Sequence, residues 1–255
     1  MVHWPDSMFT YLKEDKILFS SDGFGQHYAS FEYFDDIVGD AIMVHAQKYF
    51  ANILLLYAPL ILKLINKIVA SGLKIDMICP DHGIIWRKDP MKIINAYAQW
   101  SQHSAKRKAV VIYDTMWHST EKMADAIAEG ISSEGVSVRP MYLRKWHRSD
   151  IMTEVLDAKA VIVGSPTLNN GLFPTVSDFL TYMRGLKPLN KIGAAFGSYG
   201  WSGEAPKLIA SELQSMQIEV IDPIRHQYVP DHQALMSGFT LGQQIGKVIN
   251  QQVTI

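Results

Sequence analysis

Short apolar runs alternate with helical patterns from residue 105 to the end of the chain. The runs are rich in β-branched residues, as is typical of strands covered on both faces. They are Ala109–Tyr113, Val136–Met141, Lys159–Gly164, Ile192–Phe196 and Ile218–Ile221. The predicted helices between and after them are a segment with apolar residues every four positions (Met123, Ile127, Ile131), then Pro174–Gly185, Glu204–Met216 and Gln233–Asn250. Five strands joined by helical crossovers predict an α/β fold with a doubly wound, five-stranded parallel sheet.

The first hundred residues have a different pattern. We predict strands at Lys16–Ser20 and Ile75–Cys79, and a helix at Pro59–Ser71 that begins with proline and is followed by glycine. The longest apolar stretch, Ala51–Ile65, is interrupted by proline and lysine and is shorter than the roughly 20 residues that cross a bilayer. We therefore interpret it as a buried helix. A polar, basic junction at Trp100–Lys108 separates two predicted domains, residues 1–104 and residues 105–255.

Composition narrows the class of protein. The chain has 255 residues, of which 48% are hydrophobic and 19% charged, with a formal net charge of −1. These values indicate folded domains and give no support for binding to nucleic acid or an anionic membrane. The single cysteine, Cys79, cannot form an intramolecular disulfide, and we expect an inert packing thiol. The first residues lack the basic and apolar regions of a signal peptide, so the predicted location is the cytoplasm.

The loop after the first strand of the second domain has the composition of an anion site. Three hydroxyls and several backbone N–H groups precede a helix, where the unpaired amides and the helix dipole favour negative charge. The residues are Thr115, Met116, Trp117, His118, Ser119 and Thr120, hereafter loop 1. They fit neither a Walker loop nor GxGxxG, so a phosphate would be held by hydroxyls and amides alone. An ordinary helix cap by Ser119 or Thr120 is the alternative.

Two more loops follow the third and fourth strands. Loop 2 consists of Ser165, Pro166, Thr167, Leu168, Asn169, Asn170 and Gly171, and loop 3 consists of Ser198, Tyr199, Gly200, Trp201, Ser202 and Gly203. Small residues let the backbone approach a flat ligand, and the aromatic residues could stack on it. Each loop alone could be a plain turn. Three such loops at the carboxyl edge of one sheet favour a shared ligand site.

The loop sequences resemble a known family. The matching segments are Y-D-T-M-W-H-S-T-E-K-M-A, G-S-P-T-L-N-N-G and F-G-S-Y-G-W-S-G-E-A. They are similar to the three FMN loops of the flavodoxin-like domain of flavodiiron proteins (A-type flavoproteins). The resemblance implies that FMN binds here, with its phosphate against loop 1 and its isoalloxazine bordered by loops 2 and 3. The flavin would supply the redox chemistry, while the protein positions and tunes it.

Residues that suit a metal occur at three points in the first domain. They are His3, Asp22 and His82, and the last two each follow a predicted strand. On chemistry alone, a structural role for these scattered residues is the favoured interpretation. The resemblance implies instead that His3 binds one iron, His82 binds the other and Asp22 bridges them. His27 and His45 are expected to be structural or surface residues.

The same resemblance implies that residues 1–104 are the C-terminal part of a metallo-β-lactamase-like αβ/βα domain. The family also needs an upstream H-x-E-x-D-H motif, and none of the nine histidines lies in one. The di-iron site is therefore expected to be incomplete in this chain. A truncated product, a misplaced start and a separately encoded N-terminal half are three open explanations. The incomplete edge should expose apolar surface and promote aggregation or association.

Two functions follow as expectations. By resemblance, the chain is a flavodiiron oxidoreductase that reduces oxygen to water or nitric oxide to nitrous oxide, with electrons passing from FMN to the di-iron site. The expected donor is rubredoxin or a reduced deazaflavin, and the expected assembly is a head-to-tail homodimer. The alternative is an FMN-binding electron-transfer module with an inactive metal half. A metallo-β-lactamase-like hydrolase is disfavoured, because it would leave the flavin loops without a role.

Overall fold

The computed structural model describes residues 3–253 of the chain. The chain divides into two compact units, Met1–Ser104 (unit 1) and Ala105–Ile255 (unit 2). Each unit is described by itself.

Unit 2 is a five-stranded sheet with helices between its strands. Its elements are β4 (Lys106–Tyr113), α5 (Ser119–Ser133), β5 (Ser137–Tyr142), α6 (Arg148–Leu156), β6 (Ala158–Gly164), α7 (Pro174–Leu186), β7 (Ile192–Tyr199), α8 (Ala205–Ser215), β8 (Glu219–Gln227) and α9 (His232–Gln252). The strand order is β5-β4-β6-β7-β8, and every pairing is parallel. The order reverses between β4 and β6, which creates a crevice at the carboxyl ends of these strands. The predicted fold class is confirmed.

The central strands of unit 2 are completely buried. All seven residues of β6 are buried, because helices cover both faces of the sheet. On one face α5 and α9 pack backbone against backbone at two glycines. A Cβ on Gly130 would lie 2.1 Å from the Phe239 carbonyl oxygen, and one on Gly242 would lie 2.2 Å from that of Ile127. These glycines bring the two helices together over β4, β6 and β7.

Helix α6 is the element of unit 2 that the sequence pattern did not predict. It has nine residues, and its buried side chains are Ile151, Met152, Val155 and Leu156. Polar residues lie between these two apolar pairs, so the apolar stripe is too short to stand out. The Nδ1 atom of His147 accepts from the backbone N–H of Ser149 and caps the helix start.

Unit 1 combines a small sheet with several helices. Its elements are β1 (Thr10–Leu12), β2 (Ile17–Phe19), α1 (Asp35–Val38), α2 (Ile42–Tyr49), a π-helical segment (Phe50–Leu54), a 3₁₀ turn (Leu55–Tyr57), α3 (Ala58–Ala70), β3 (Met77–Cys79) and α4 (Pro90–Ser101). The sheet order is β1-β2-β3, with β1 and β2 antiparallel and β2 and β3 parallel. The two predicted strands and the predicted helix are present with slightly different bounds, whereas β1, α1, α2 and α4 were not predicted.

The apolar stretch at Ala51–Ile65 is only partly the buried helix that we predicted. Its first residues form the π-helical and 3₁₀ segments, and α3 then buries one face while Leu60 on the other face is 51% exposed. By length and composition, the continuous helix Ile42–Ala70 could cross a membrane, and 28% of its most apolar window is buried. One such helix is weak evidence, since a core helix passes the same test.

Candidate functional site

The three predicted loops of unit 2 surround one cavity of about 640 Å³ at the carboxyl edge of the sheet. The lining residues are Met116, Trp117, Ser119, Pro166, Thr167, Leu168, Asn169, Asn170, Ser198, Tyr199, Gly200, Trp201, Ser202, Tyr228 and Val229. All of them except Tyr228 and Val229 belong to loops 1 to 3. The size is in the ordinary range for a cofactor site. Flavin contact by these residues remains a prediction.

Loop 1 is built around a buried carboxylate. Asp114 follows β4 directly, is fully buried, and its Oδ1 accepts from the Thr115 backbone N–H at 2.6 Å. The Thr115 side chain is also buried, and among the described residues its Oγ1 has no hydrogen-bond partner. A buried hydroxyl without a hydrogen-bond partner costs free energy, so a polar ligand that contacts this atom would be favoured. Helix α5 begins four residues later and directs its first unpaired amides toward the same end.

The structure pairs His118 with a carboxylate within loop 1 and helix α5. The residue has a left-handed backbone (φ 63°), and its Nδ1 lies 2.6 Å from Glu121 Oε2. Hydrogen bonds from His118 and Tyr113 hold the pKa of Glu121 below its usual value, against the effect of partial burial. His118 does not line the cavity. In this arrangement the His118 ring is paired with Glu121, and a contact between His118 and a phosphate stays a prediction.

Loop 2 is a tight hairpin. Leu168 and Gly171 exchange backbone hydrogen bonds, and both Asn169 (φ 48°) and Asn170 (φ 60°) have the left-handed conformation. Positive φ at both central residues defines a type I′ turn, for which asparagine is favoured. The buried Ser165 accepts the Phe173 N–H on its Oγ at 3.0 Å, so its side chain holds the loop instead of facing the cavity.

Loop 3 lies against loop 2 through close backbone contact. A Cβ on Gly197 would lie 2.0 Å from the Ser165 carbonyl oxygen, so only glycine fits at this position. The Thr167 N–H donates to the Ser198 carbonyl at 3.0 Å, and the Thr120 and Ser198 hydroxyls lie 3.0 Å apart. These bonds connect all three loops into one wall.

Strand β8 supports the tip of loop 3. Gln227 Nε2 donates to the Gly200 carbonyl at 2.8 Å, and Arg225 Nη1 donates to two further loop carbonyls. Trp117 and Trp201 project into solvent at the cavity rim, with 84% and 95% of their surface exposed. Exposed tryptophans beside a cavity can stack on a flat ligand.

Six predicted residues support the loops without lining the cavity: Thr115, His118, Thr120, Ser165, Gly171 and Gly203.

In unit 1, the structure places Asp22 between two histidines. His82 Nε2 lies 3.2 Å from Asp22 Oδ1, and His3 Nε2 lies 4.0 Å from Asp22 Oδ2. Each oxygen of the carboxylate therefore faces a different imidazole, as a bridging carboxylate would require. The Tyr49 hydroxyl also donates to Asp22 Oδ1 at 3.3 Å. Burial, and to a smaller extent the negative charge of Asp22, raise the pKa of Tyr49. The His27 ring lies 5.9 Å from the His82 ring, centroid to centroid.

A buried glutamine fixes the loop that carries His82. The Gln26 backbone N–H donates to the His82 carbonyl at 3.1 Å, and its Oε1 accepts from the Ile84 N–H at 2.8 Å. Gly83 has a φ of +86°, and a Cβ there would lie 2.1 Å from Gln26 Oε1. The loops of Asp22 and His82 are thus held together by the backbone as well as by their side chains.

These residues are too few to form a complete metal site. Within residues 3–253, no group of three or more histidine, cysteine, aspartate or glutamate side chains could hold a metal ion. One carboxylate between two imidazoles fits a fragment of a two-metal site, but it cannot supply the ligands of two iron ions.

One comparison with known proteins matches unit 2 alone, and the others match both units. The flavodoxin family, described as "Flavodoxin", matches residues 111–240. "Nitric oxide reductase" of Moorella thermoacetica is 48% identical over 248 residues, covering 96% of this chain and 62% of the relative. The solved rubredoxin oxygen:oxidoreductase from Desulfovibrio gigas superposes with a TM-score of 0.97 at 41% identity, covering 100% of this chain and 65% of that one. The flavodiiron protein from Giardia intestinalis gives 0.92 at 36% identity, covering 97% and 62%.

The chain belongs to the flavodiiron protein family. It spans less than two thirds of the length of the relatives it matches. The likeness extends over both units, so the expected β-lactamase-like character of the first part is confirmed at the level of fold.

FMN is the cofactor that the flavodoxin domain of a flavodiiron protein implies. The residues present fit it. The buried, unpartnered hydroxyl of Thr115 and the amides at the start of α5 suit a phosphate. The glycine at position 197 keeps the loops close, and two exposed tryptophans flank the cavity. Other flavodiiron proteins carry a di-iron site, and the assignment of His3, Asp22 and His82 to such a site in this chain stays a prediction.

Sequence reasoning missed several neighbours of the two candidate sites. Tyr228 and Val229 line the cavity because they follow β8 directly, and the same rule of strand ends that found the other loops could have found them. Arg144 forms an ion pair with Asp114, 30 positions away along the chain. Tyr49 reaches Asp22 from α2. No local pattern marks these last two residues, because their contacts are long-range.

Proposed function

We propose that this chain is a flavin-binding oxidoreductase of the flavodiiron type, which takes part in the reduction of oxygen to water or of nitric oxide to nitrous oxide. The single observation that supports it most is the convergence of loops 1, 2 and 3 on one cavity with a buried, unpartnered hydroxyl beside it. Bound FMN would supply reversible electron storage.

The chain's own residues would position the flavin. Thr115, Ser119 and the first amides of α5 would hold the phosphate through neutral donors and the helix dipole. Trp117 and Trp201, which are exposed at the rim, would cover the ring system. The short bonds that join the three loops would keep these donors in place before the ligand arrives, which lowers the entropic cost of binding.

In unit 1, His3 and His82 would each contribute a ligand to one of two metal ions, and Asp22 would bridge them. The facing of each Asp22 oxygen toward a different imidazole supports these roles. The small number of ligand residues within the described chain supports the second candidate, an FMN-binding electron-transfer module whose metal half is inactive.

The partners and location are part of the same proposal. The name of the Desulfovibrio gigas relative supports rubredoxin as an electron donor, and a reduced deazaflavin is the other donor class that we propose. Family resemblance supports a head-to-tail homodimer and a cytoplasmic location. The balanced formal charge of −1 favours neither nucleic acid nor an anionic membrane as a partner.

An absorption spectrum with iron analysis on the purified chain tests the proposal and separates its two forms. We expect flavin bands, or a 1:1 complex when FMN is added, with quenched flavin fluorescence. About two iron ions per chain would support the reductase, since the family carries a di-iron site. Flavin without iron would support the electron-transfer module. A colourless chain that does not quench added FMN would contradict both.

A further inference from the structure

An ion pair between the buried Asp114 and the exposed Arg144 lies next to loop 1. Asp114 is fully buried, and its carboxylate lies 3.0 Å from Arg144 Nε. The Arg144 Nη2 atom also donates to the Thr115 carbonyl at 3.2 Å. The hydrogen bond and the charge of Asp114 raise the pKa of Arg144 above its ordinary value. The pair therefore fixes both the N–H and the C=O of Thr115, the residue whose hydroxyl is unpartnered.

The same carboxylate connects loop 1 to the start of α7. The Thr175 hydroxyl, at the start of α7, donates to Asp114 Oδ2. The Arg144 guanidinium lies 5.2 Å from the centre of the Phe173 ring and 6.0 Å from that of Tyr142. Arg144 thus joins the end of β5, loop 1 and the entry to α7, although it does not line the cavity.

The charge of Asp114 has a consequence for an anionic ligand. A carboxylate buried next to a phosphate-binding loop would repel a phosphate strongly, because little water screens it. The positive charge of Arg144 cancels that repulsion. The affinity for a ligand without a phosphate should depend little on the Asp114–Arg144 pair, since loops 2 and 3 border the rest of the cavity.

We propose that the Asp114–Arg144 pair sets the preference of this site for phosphorylated over unphosphorylated flavin. Arg144 acts as a positioning residue that neutralises Asp114 and holds Thr115 in place for the phosphate. The inference rests on the proposed binding of flavin in the cavity.

The test compares the affinities of the full chain for FMN and for riboflavin, measured by quenching of flavin fluorescence. In Arg144→Gln, we expect FMN to bind at least about tenfold more weakly, while riboflavin affinity changes by less than about threefold. The matched control is Arg148→Gln, a similarly exposed arginine that pairs with Asp178. That variant should leave the ratio of the two affinities unchanged.

A double-mutant cycle separates charge from structure. In an Asp114→Asn background no carboxylate remains to repel the phosphate, so adding Arg144→Gln should weaken FMN binding by less than about threefold. Thermal melting of each apo variant checks that it is folded, and Arg144→Gln alone decides the question if Asp114→Asn does not fold.

Three results would overturn the proposal. Equal weakening of both flavins in Arg144→Gln would mean that the pair only supports the fold. Unchanged FMN binding in that variant would mean that the pair has no role in selectivity. A wild-type chain that binds both flavins equally well would contradict the selectivity while leaving flavin binding intact, whereas a wild-type chain that binds neither would contradict the proposed function itself.

Discussion

In unit 2 the candidate ligand residues come from three loops that each follow a strand of one parallel sheet, whereas in unit 1 they come from separate segments around a three-stranded sheet. The first arrangement is complete: the loops meet at one cavity and hydrogen-bond to one another. Among the described residues, the second arrangement consists of one carboxylate between two imidazoles. A site made of strand-end loops is specified within one sheet, while a site of scattered ligands depends on every segment that contributes one.

The two units also differ in where their exposed apolar side chains lie. In unit 2 the most exposed large apolar side chains include Trp117, Trp201, Tyr228 and Val229, which all line the cavity. In unit 1 exposed apolar residues occur on the sheet, on the helices and in the connecting segments. They include Trp4, Met8, Leu12, Phe19, Phe31, Val44, Leu60 and Val69. Many exposed apolar side chains favour association with a partner or aggregation.

The largest effect is expected from a methyl group between loops 2 and 3. Gly197→Ala places a Cβ 2.0 Å from the Ser165 carbonyl oxygen, so the backbone must shift. We expect unit 2 to lose about 3 kcal/mol of unfolding free energy and the chain to lose measurable FMN binding. Chemical denaturation and FMN titration measure this. Gly185→Ala, where a Cβ has open space within α7, is the control and should be neutral or slightly stabilising. A stable, flavin-binding Gly197→Ala chain would show that the loops need no close contact.

A pH effect of intermediate size should belong to unit 2 alone. Lys191 is 4% exposed, and burial lowers its pKa from 10.5 to about 7, with the nearby Asp157 acting in the opposite direction. Between these values the unfolded chain binds more protons than the folded one, so stability rises with pH. From pH 7 to pH 9 the gain should be about 2 kcal/mol. Urea unfolding followed by release of bound flavin measures it.

The Lys191→Met variant should remove most of that pH dependence while keeping the volume of the side chain. Among the described residues of unit 1 no lysine is buried, so its unfolding should lack this component. An identical slope in wild type and variant would show that Lys191 stays protonated in the folded chain, held by the carbonyl oxygens of Leu156 and Ala158.

A smaller effect is expected at the unpartnered hydroxyl. Thr115→Val keeps the shape of the side chain and removes Oγ1, which has no partner among the described residues. FMN affinity should fall about tenfold, as for loss of one hydrogen bond to a charged group. The apo chain should change in stability by less than about 0.5 kcal/mol, because no internal bond is lost. An unchanged FMN affinity would remove this hydroxyl from the site.

The smallest effect on stability is expected on the exposed face of unit 1. Leu60→Gln should change the unfolding free energy by less than about 0.5 kcal/mol, because Leu60 is 51% exposed. Light scattering should nevertheless show less self-association. Its neighbour Ile61 is 4% exposed, and Ile61→Gln should destabilise unit 1 by about 3 kcal/mol. Equal changes in unfolding free energy for the two substitutions would mean that Leu60 is not exposed to solvent.

The comparison also explains what could be predicted from sequence. Runs of β-branched residues revealed all five strands of the parallel sheet, and strand-end loops revealed most of the cavity, because both signals are local. The roles of Arg144 and Tyr49 were not predicted, because each contacts a carboxylate that is distant along the chain. Helix α6 is too short to show a clear stripe. The pattern of Ala51–Ile65 revealed a helix but could not show that Leu60 would face outward.

A crystal structure of the chain with FMN would test the central claim most directly. We predict one flavin per chain in unit 2, with phosphate oxygens within hydrogen-bond distance of Thr115 Oγ1 and the amides at the start of α5, and with the ring system between loops 2 and 3. Flavin bound elsewhere, or a phosphate that does not contact loop 1, would contradict the account.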